Sequence, residues 1–382
     1  MGGAPRRVPA LRGVVRALRR AGCDTVFGCP GATLAPLYAA LDGPGITHLA
    51  VRHAESAPHM AIGWSRVRGR AALAAVPAGT GAARVLPALG VALADAVPLV
   101  CVVGTGPPAG PGTGPDLVRL ARPLVKWAVR VEQPARLAWA FREALWTARE
   151  GSAGPVLIEL PAAVASATVP ADGPGDRQHA PPGPPRPPAP PAHPPLPAHP
   201  EIAGWLADGA ETYLVGADAA AYAAAGGGRL RAVATAAGPP GWEVPTALGV
   251  RAALDAAGPA GADGAEVVAL LGDPHGFPAL AGELALAAHR GAPLVLLMPP
   301  DRAGLPPEPG PAGPGEDASF TDPVKLVAAY GCAGRTADGP GELRSALAWA
   351  RKEAVSTRRP VLVRARYATA PAAGGPPRTA RQ

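Results

Sequence analysis

Apolar residues fall along this chain in short blocks, separated by longer stretches rich in Ala, Leu and Arg. Ala71–Val76, Leu99–Val103 and Pro155–Glu159 hold almost no polar position, the pattern of strands buried on both faces of a parallel sheet. Asp24–Gly28 and Thr47–Arg52 read as two further strands of the same half. Between them Thr33–Leu41, Ala54–Arg66, Gly81–Asp95 and Pro134–Glu150 have helical spacing. At the start, Arg6, Arg7, Arg12, Arg16, Arg19 and Arg20 interleave with Val8, Leu11, Val14, Val15 and Leu18, which predicts a first amphipathic helix. The second half repeats the alternation. Strands are expected at Glu211–Val215, Val267–Leu271, Pro293–Leu297 and Pro360–Val363, and helices at Val244–Ala256, Ala281–His289, Pro323–Tyr330 and Gly341–Ala354. This order predicts an α/β chain of two doubly wound parallel sheets with helices on both faces. Ligands in such sheets sit at the carboxyl ends of the strands, at a topological switch.

Composition adds a boundary. Gly (49) and Pro (51) make up just over a quarter of the 382 residues, yet no Gly-X-Y period runs through the chain and 48% of it is hydrophobic. From Pro170 to Pro200 there are 14 prolines in 31 residues, a stretch that cannot build a core and suits an extended linker. The expected domains are therefore 1–169 and 201–370, joined by the linker 170–200 and followed by a tail, 371–382. A second Pro/Gly-rich patch, Ala303–Asp317, reads as a mobile loop. Lysine occurs only at Lys126, Lys325 and Lys352 and asparagine nowhere, which fits the codon bias of a GC-rich genome. A missing Lys or Asn therefore says little about chemistry.

The net charge of +7 invites a nucleic-acid reading, but the arginines are dispersed and only four Phe and five Tyr are available for stacking. The Arg-rich start has no acid before Asp24, as in a transit peptide, but it runs straight into a strand and reads as part of the mature fold. The longest apolar runs, Val97–Val103 and Pro293–Met298, are too short to span a bilayer. Cys23, Cys29, Cys101 and Cys332 form no CxxC pair, so neither a zinc site nor a disulfide framework is signalled. The expectation is a soluble, cytoplasmic protein with no nucleic-acid or membrane partner.

Five segments carry chemistry. Val26-Phe27-Gly28-Cys29-Pro30-Gly31 is a Gly-x-Pro-Gly turn between strand and helix. Arg52-His53-Ala54-Glu55 leads into Ser56-Ala57-Pro58-His59-Met60-Ala61, where an acid at a helix start also suits the dipole. Pro77-Ala78-Gly79-Thr80-Gly81-Ala82-Ala83-Arg84 is a Gly-rich turn, with Asp95-Ala96-Val97-Pro98-Leu99 beyond the next helix. The second half holds Gly238-Pro239-Pro240-Gly241-Trp242 with Pro245-Thr246-Ala247-Leu248-Gly249, then Leu270-Leu271-Gly272-Asp273-Pro274. In order and spacing these resemble the thiamine-diphosphate (ThDP) enzymes of the acetolactate synthase type. Their FGxPG, Arg-His-Glu, SGPGATN and DSVPLL segments match the first half, and GxMGxxxPAALG and GDG match the second. Lys126-Trp127 and Gly154–Pro161 resemble the family's "KW" and "GPVLIDLP", and Glu283-Leu284-Ala285, Ala292–Val295 and Asp322–Gly331 continue the order. The first-half resemblance covers residues 10–165. The family's central domain has no counterpart beyond the linker, as in the shorter decarboxylases of phosphono- or sulfopyruvate.

The resemblance implies ThDP with Mg²⁺ and a decarboxylase or carboligase acting on a small 2-oxoacid such as pyruvate. It implies a homodimer or tetramer, or a hetero-oligomer with an active paralogue. Cofactor-binding positions would be Gly28, Pro30, Gly31, Gly79, Gly81, Gly241, Gly272, Asp273 and His275, with Asp273 and Asp301 on the metal and His53 and Glu55 as catalytic groups. Several motifs depart from the family. The position of its ring-protonating glutamate is Ala54, with Glu55 one residue later; glyoxylate carboligase, which resembles the family, also lacks that glutamate. GDG becomes Gly-Asp-Pro at Pro274, removing an N–H where glycine allows close diphosphate approach. The second metal-ligand position is Pro300 by a rigid count from Asp273, or Asp301 when aligned through Glu283-Leu284-Ala285 and Pro293. Arg84 stands for an Asn, and Pro239 or Pro240 for a methionine. Codon bias does not explain losing Glu or Gly. A non-catalytic relative that stabilises or regulates an active paralogue is therefore the second reading, and a generic nucleotide-binding α/β protein the third. Ala54, Pro274 and Pro300 discriminate among them.

Overall fold

The computed structural model describes residues 6–43, 45–106, 115–171, 199–225, 228–235, 238–258, 264–273, 276–300 and 321–367. The first half runs β1 (Arg7–Pro9), α1 (Leu11–Arg20), β2 (Thr25–Gly28), α2 (Ala35–Leu41), β3 (Thr47–Ala50), α3 (Ser56–Arg68), β4 (Ala72–Val76) and α4 (Leu86–Ala94). It continues with β5 (Leu99–Thr105), α5 (Leu117–Ala121), β6 (Trp127–Arg130), α6 (Leu137–Thr147), β7 (Pro155–Pro161), α7 (Ala162–Ala165) and β8 (Thr168–Pro170). The second half holds α8 (Pro200–Ala207), β9 (Glu211–Val215), α9 (Ala219–Ala225), β10 (Leu230–Val233), α10 (Glu243–Asp255), β11 (Ala265–Leu270) and α11 (Phe277–Leu280). It ends with α12 (Glu283–Arg290), β12 (Leu294–Met298), α13 (Pro323–Ala329), β13 (Ala333–Ala337), α14 (Pro340–Thr357) and β14 (Pro360–Ala365).

Each half builds one six-stranded parallel sheet, ordered β3-β2-β4-β5-β7-β6 and β10-β9-β11-β12-β14-β13. Counted within each half the order is the same, so one connectivity occurs twice. The central strands β4 and β12 are buried along their whole length, which is why their sequences lack polar positions.

Three edge strands, β6, β10 and β13, fall outside the strands expected from sequence. Each is half-exposed and carries an arginine, so none shows a continuous apolar run. Those arginines are engaged: Arg130 pairs with Glu159 at 2.8 Å, Arg231 with Glu211 at 3.1 Å, and Arg335 stacks 3.9 Å over the Trp349 ring. The expected first helix is also shorter at its start. Pro9 has no N–H and holds Val8 extended, so Arg7–Pro9 pairs antiparallel with Thr168–Pro170 and the helix begins at Leu11. Of the Pro-rich segment, Pro170 ends β8 and Pro200 opens α8; 172–198 lie outside the described residues, as do 303–317.

The core has three layers. Two apolar clusters cover the outer faces of the sheets, and a third runs between them with residues of both halves. Its centre is the crossing of α3 and α10, buried along Ser56–Ser65 and Glu243–Arg251 respectively. The crossing is close because two glycines face backbone: a Cβ on Gly63 would lie 2.1 Å from the Thr246 carbonyl oxygen, and one on Gly249 1.9 Å from that of Met60. A partly buried ion pair stands beside it. Arg66 meets Asp95 at 3.0 Å and donates to the Ala234 carbonyl oxygen of the second half at 3.2 Å. No helix among the described residues is long and apolar enough to cross a membrane.

Candidate functional site

In the first half the site residues gather at the carboxyl ends of β2, β3 and β4. Gly28 ends β2, and a Cβ there would lie 2.2 Å from the Ala75 carbonyl oxygen and 2.5 Å from the Tyr38 hydroxyl. That hydroxyl lies 2.8 Å from the Cys29 carbonyl oxygen and 3.0 Å from that of Ala75, so one proton pins the turn to the neighbouring strand. Gly31, further along the turn, packs against Pro77 just past β4, 2.6 Å from a Cβ built on it. Gly79 has φ +121°, a conformation open to glycine, and among the described residues neither Gly79 nor Gly81 has a neighbour within 4 Å of a built Cβ.

The chain leaves β3 at Ala50, and the helix expected from Ala54 begins only at Ser56. Ala54 and Glu55 therefore lie in the turn that leads into α3, with Glu55 already at helical backbone angles (φ −64°, ψ −32°). A single acid before an apolar run does not fix where the helix starts; no side chain caps this one, so Glu55 is not occupied in capping. Burial pushes the half-buried Glu55 carboxyl up, against the opposing charges of Arg84 and His53. Ala54 packs against the central core.

In the second half Gly241 has φ +79°, and its Cβ would lie 2.7 Å from the Gly276 carbonyl oxygen. Gly276 in turn faces the Asp273 carboxylate and Pro240, each 2.5 Å from a built Cβ. Gly241, Pro240, Asp273 and Gly276 thus form one group beyond β11, and the Asp273 carbonyl oxygen accepts the Phe277 N–H at 3.1 Å. Among the described residues nothing apart from its chain neighbours lies within 4 Å of a Cβ built on Gly272. His275, Pro274 and Asp301 lie outside the described residues, and Pro300 is buried after β12. Among the described residues no three His, Cys, Asp or Glu gather as a metal site, and of the two expected metal positions only Asp273 lies among the described residues.

Two buried carboxyls stand at this site unannounced by the sequence. Glu243, 5% exposed at the start of α10, accepts the Gly272 N–H at 3.4 Å. Burial pushes its carboxyl up to about 7, helped by Asp273 and opposed by that N–H. Glu283, fully buried, reaches across to the first half, where its Oε1 accepts the N–H groups of Arg52 at 2.9 Å and His53 at 3.1 Å. Burial raises this carboxyl too, and its charge helps push the Cys29 thiol up to about 11. Glu243 reads as an ordinary helix-start acid. Glu283 carried one signal, an acid inside the apolar run from Phe277 to Leu286.

His59, on the buried face of α3, is fully enclosed, and neither ring nitrogen has a partner among the described residues. Burial lowers it to about 3. Glu243 and His59 then give opposite pH slopes. The folded state keeps the Glu243 proton longer than the unfolded chain does, so that contribution falls as pH rises from 4.5 to about 7. The unfolded chain protonates His59 below 6.5, so that contribution falls as pH drops from 6.5 toward 3. Each slope reaches roughly 1.4 kcal/mol per pH unit, and they oppose between pH 4.5 and 6.5. Denaturation midpoints across that window should rise with pH in Glu243→Gln and fall in His59→Leu, each relative to wild type. Identical profiles for the two variants would refute the assignment.

Residues 10–114 match the family described as thiamine pyrophosphate enzyme, N-terminal TPP binding domain, and 216–365 match its C-terminal TPP binding domain. The acetolactate synthase large subunit of Buchnera aphidicola is 34% identical over 153 residues, 39% of this chain and 27% of that protein. The glyoxylate carboligase of Escherichia coli O157:H7 is 33% identical over 161 residues, 41% of this chain and 27% of that protein. The chain thus aligns with about a quarter of the length of these curated relatives. Among solved structures, the Rhodococcus jostii thiamine diphosphate-dependent 4-hydroxybenzoylformate decarboxylase superposes with a TM-score of 0.71 at 16% identity, over 94% of this chain and 99% of that one. Benzoylformate decarboxylase from Polynucleobacter necessarius gives 0.72 at 14%, over 94% and 98%. Matching family domains in both halves, on two parallel sheets of one connectivity, place this chain in the thiamine pyrophosphate enzyme family.

Proposed function

We propose that the chain binds ThDP with Mg²⁺ and acts as a decarboxylase or carboligase on a small 2-oxoacid such as pyruvate. The observation that carries the reading is the open Cβ side of Gly272. It lies just past the end of a central strand, beside the Asp273 carboxylate, and no described residue apart from its chain neighbours stands within 4 Å of a Cβ built there. Such an edge suits a diphosphate and a hard cation. Asp273 and Asp301 would supply carboxylate oxygens to Mg²⁺, Glu243 would steady the Gly272 N–H, and His275 would lie alongside. Gly28, Pro30, Gly31, Gly79 and Gly81 would take the ring end, where open backbone permits close approach. Glu55, its proton affinity raised by burial, would hold a proton toward the ring, with His53 beside it. Bound ThDP would supply the electron sink for the pair left when a 2-oxoacid loses CO₂. The two ends of the site would come from paired chains of a homodimer or tetramer, in the cytoplasm.

The test is CO₂ release from pyruvate by the protein with ThDP and Mg²⁺. Release that needs all three components is the expected result, and it should fall about tenfold or more in Glu55→Gln, by the usual contribution of a positioned acid or base. Cofactor binding without turnover of pyruvate or related 2-oxoacids would overturn the catalytic reading and assign the chain to the non-catalytic relatives.

A further inference from the structure

We infer that Glu283 is a positioning residue: a buried carboxyl of the second half that holds the Arg52-His53 backbone of the first and so sets how His53 and Glu55 are presented. After β3 the chain leaves the sheet. Val51 still donates its N–H to the Gly28 carbonyl oxygen at 3.0 Å, but the next two amides have passed the last strand acceptor. These part-buried N–H groups need another acceptor. Glu283 Oε1 serves both, at 2.9 and 3.1 Å, from a residue 231 and 230 positions away. The His53 carbonyl oxygen then accepts the Ser56 N–H at 3.1 Å, which starts α3. Glu283 therefore anchors one end of a turn whose other end is fixed by a buried helix, with Ala54 and Glu55 between. Gly282 completes the contact, since a Cβ there would stand 3.5 Å from the His53 ring nitrogen Nε2. The acceptor acts through backbone and does not touch the reacting groups. The consequence for catalysis rests on the ThDP reading; the clasp itself does not.

Amide exchange of the apoprotein, followed by mass spectrometry on peptides spanning 51–57, separates the two. Glu283→Ala removes the acceptor. Glu283→Asp withdraws it by one methylene while keeping its charge, and so decides the matter should the alanine variant not fold. Glu283→Gln keeps a carbonyl oxygen at the same reach. Exchange at Arg52 and His53 should quicken about tenfold or more in the alanine and aspartate variants, as expected when a buried hydrogen bond is lost locally. It should stay within about threefold of wild type in the glutamine variant, with peptides of β12 and α14 unchanged in all three. Unchanged exchange at 52–53 in the alanine and aspartate variants, or a glutamine variant that behaves like alanine, would overturn the inference. A protein with the expected exchange pattern that binds no ThDP keeps the clasp and loses the cofactor reading.

Discussion

Gly249→Ala should lower the stability of the folded chain by about 3 kcal/mol, the upper part of the range for overpacking a close contact. Helix propensity alone predicts the opposite sign, since alanine is favoured over glycine in a helix interior by about 1 kcal/mol. Packing decides. The new Cβ would lie 1.9 Å from the Met60 carbonyl oxygen and 2.6 Å from its carbonyl carbon, and these are backbone atoms of a buried helix with no rotamer to change. Relief requires α3 and α10 to separate, and that opens the central apolar layer shared by the halves. Gly63→Ala makes the reciprocal contact with Thr246 and should act in the same direction. Urea denaturation reads both; an unchanged or raised midpoint for Gly249→Ala would show that the crossing does not depend on backbone approach.

Asp273→Ala should weaken ThDP binding in the presence of Mg²⁺ at least a hundredfold. Its carboxylate is the metal-ligand candidate among the described residues, and the cation would be the link between protein and diphosphate. Without this proposed carboxylate ligand Mg²⁺ would be held less tightly, and the diphosphate charge would be left uncompensated. The Phe277 N–H is accepted by the Asp273 backbone carbonyl, which the substitution leaves in place. Asp301→Ala distinguishes the two alignments: comparable weakening places Asp301 on the metal, whereas wild-type affinity leaves that position to Pro300. Equilibrium dialysis of ThDP at fixed Mg²⁺ measures both variants.

Buried central strands and the order of motifs were legible because each depends on local sequence. β4, β5 and β12 must be apolar on both faces, and the turns at Gly28 and Gly241 are dictated by close approach or by φ. Edge strands were not legible, since pairing on one side leaves Arg130, Arg231 and Arg335 free to break the apolar pattern. Helix spacing also could not show that α3 starts at Ser56, because the acceptor that holds the preceding turn is Glu283, more than two hundred residues away. Glu243 and Glu283 were hard to read as site residues because the N–H groups they accept lie 29 and more than two hundred residues away, and a single Glu in sequence resembles any solvent-facing acid.

The central claim is that this chain has a site for ThDP and Mg²⁺. Calorimetric titration of the apoprotein with ThDP at saturating Mg²⁺ tests it most directly. The account predicts a saturable heat that requires Mg²⁺ and is lost in Asp273→Ala. Absence of any binding heat with ThDP raised to millimolar concentration would contradict it.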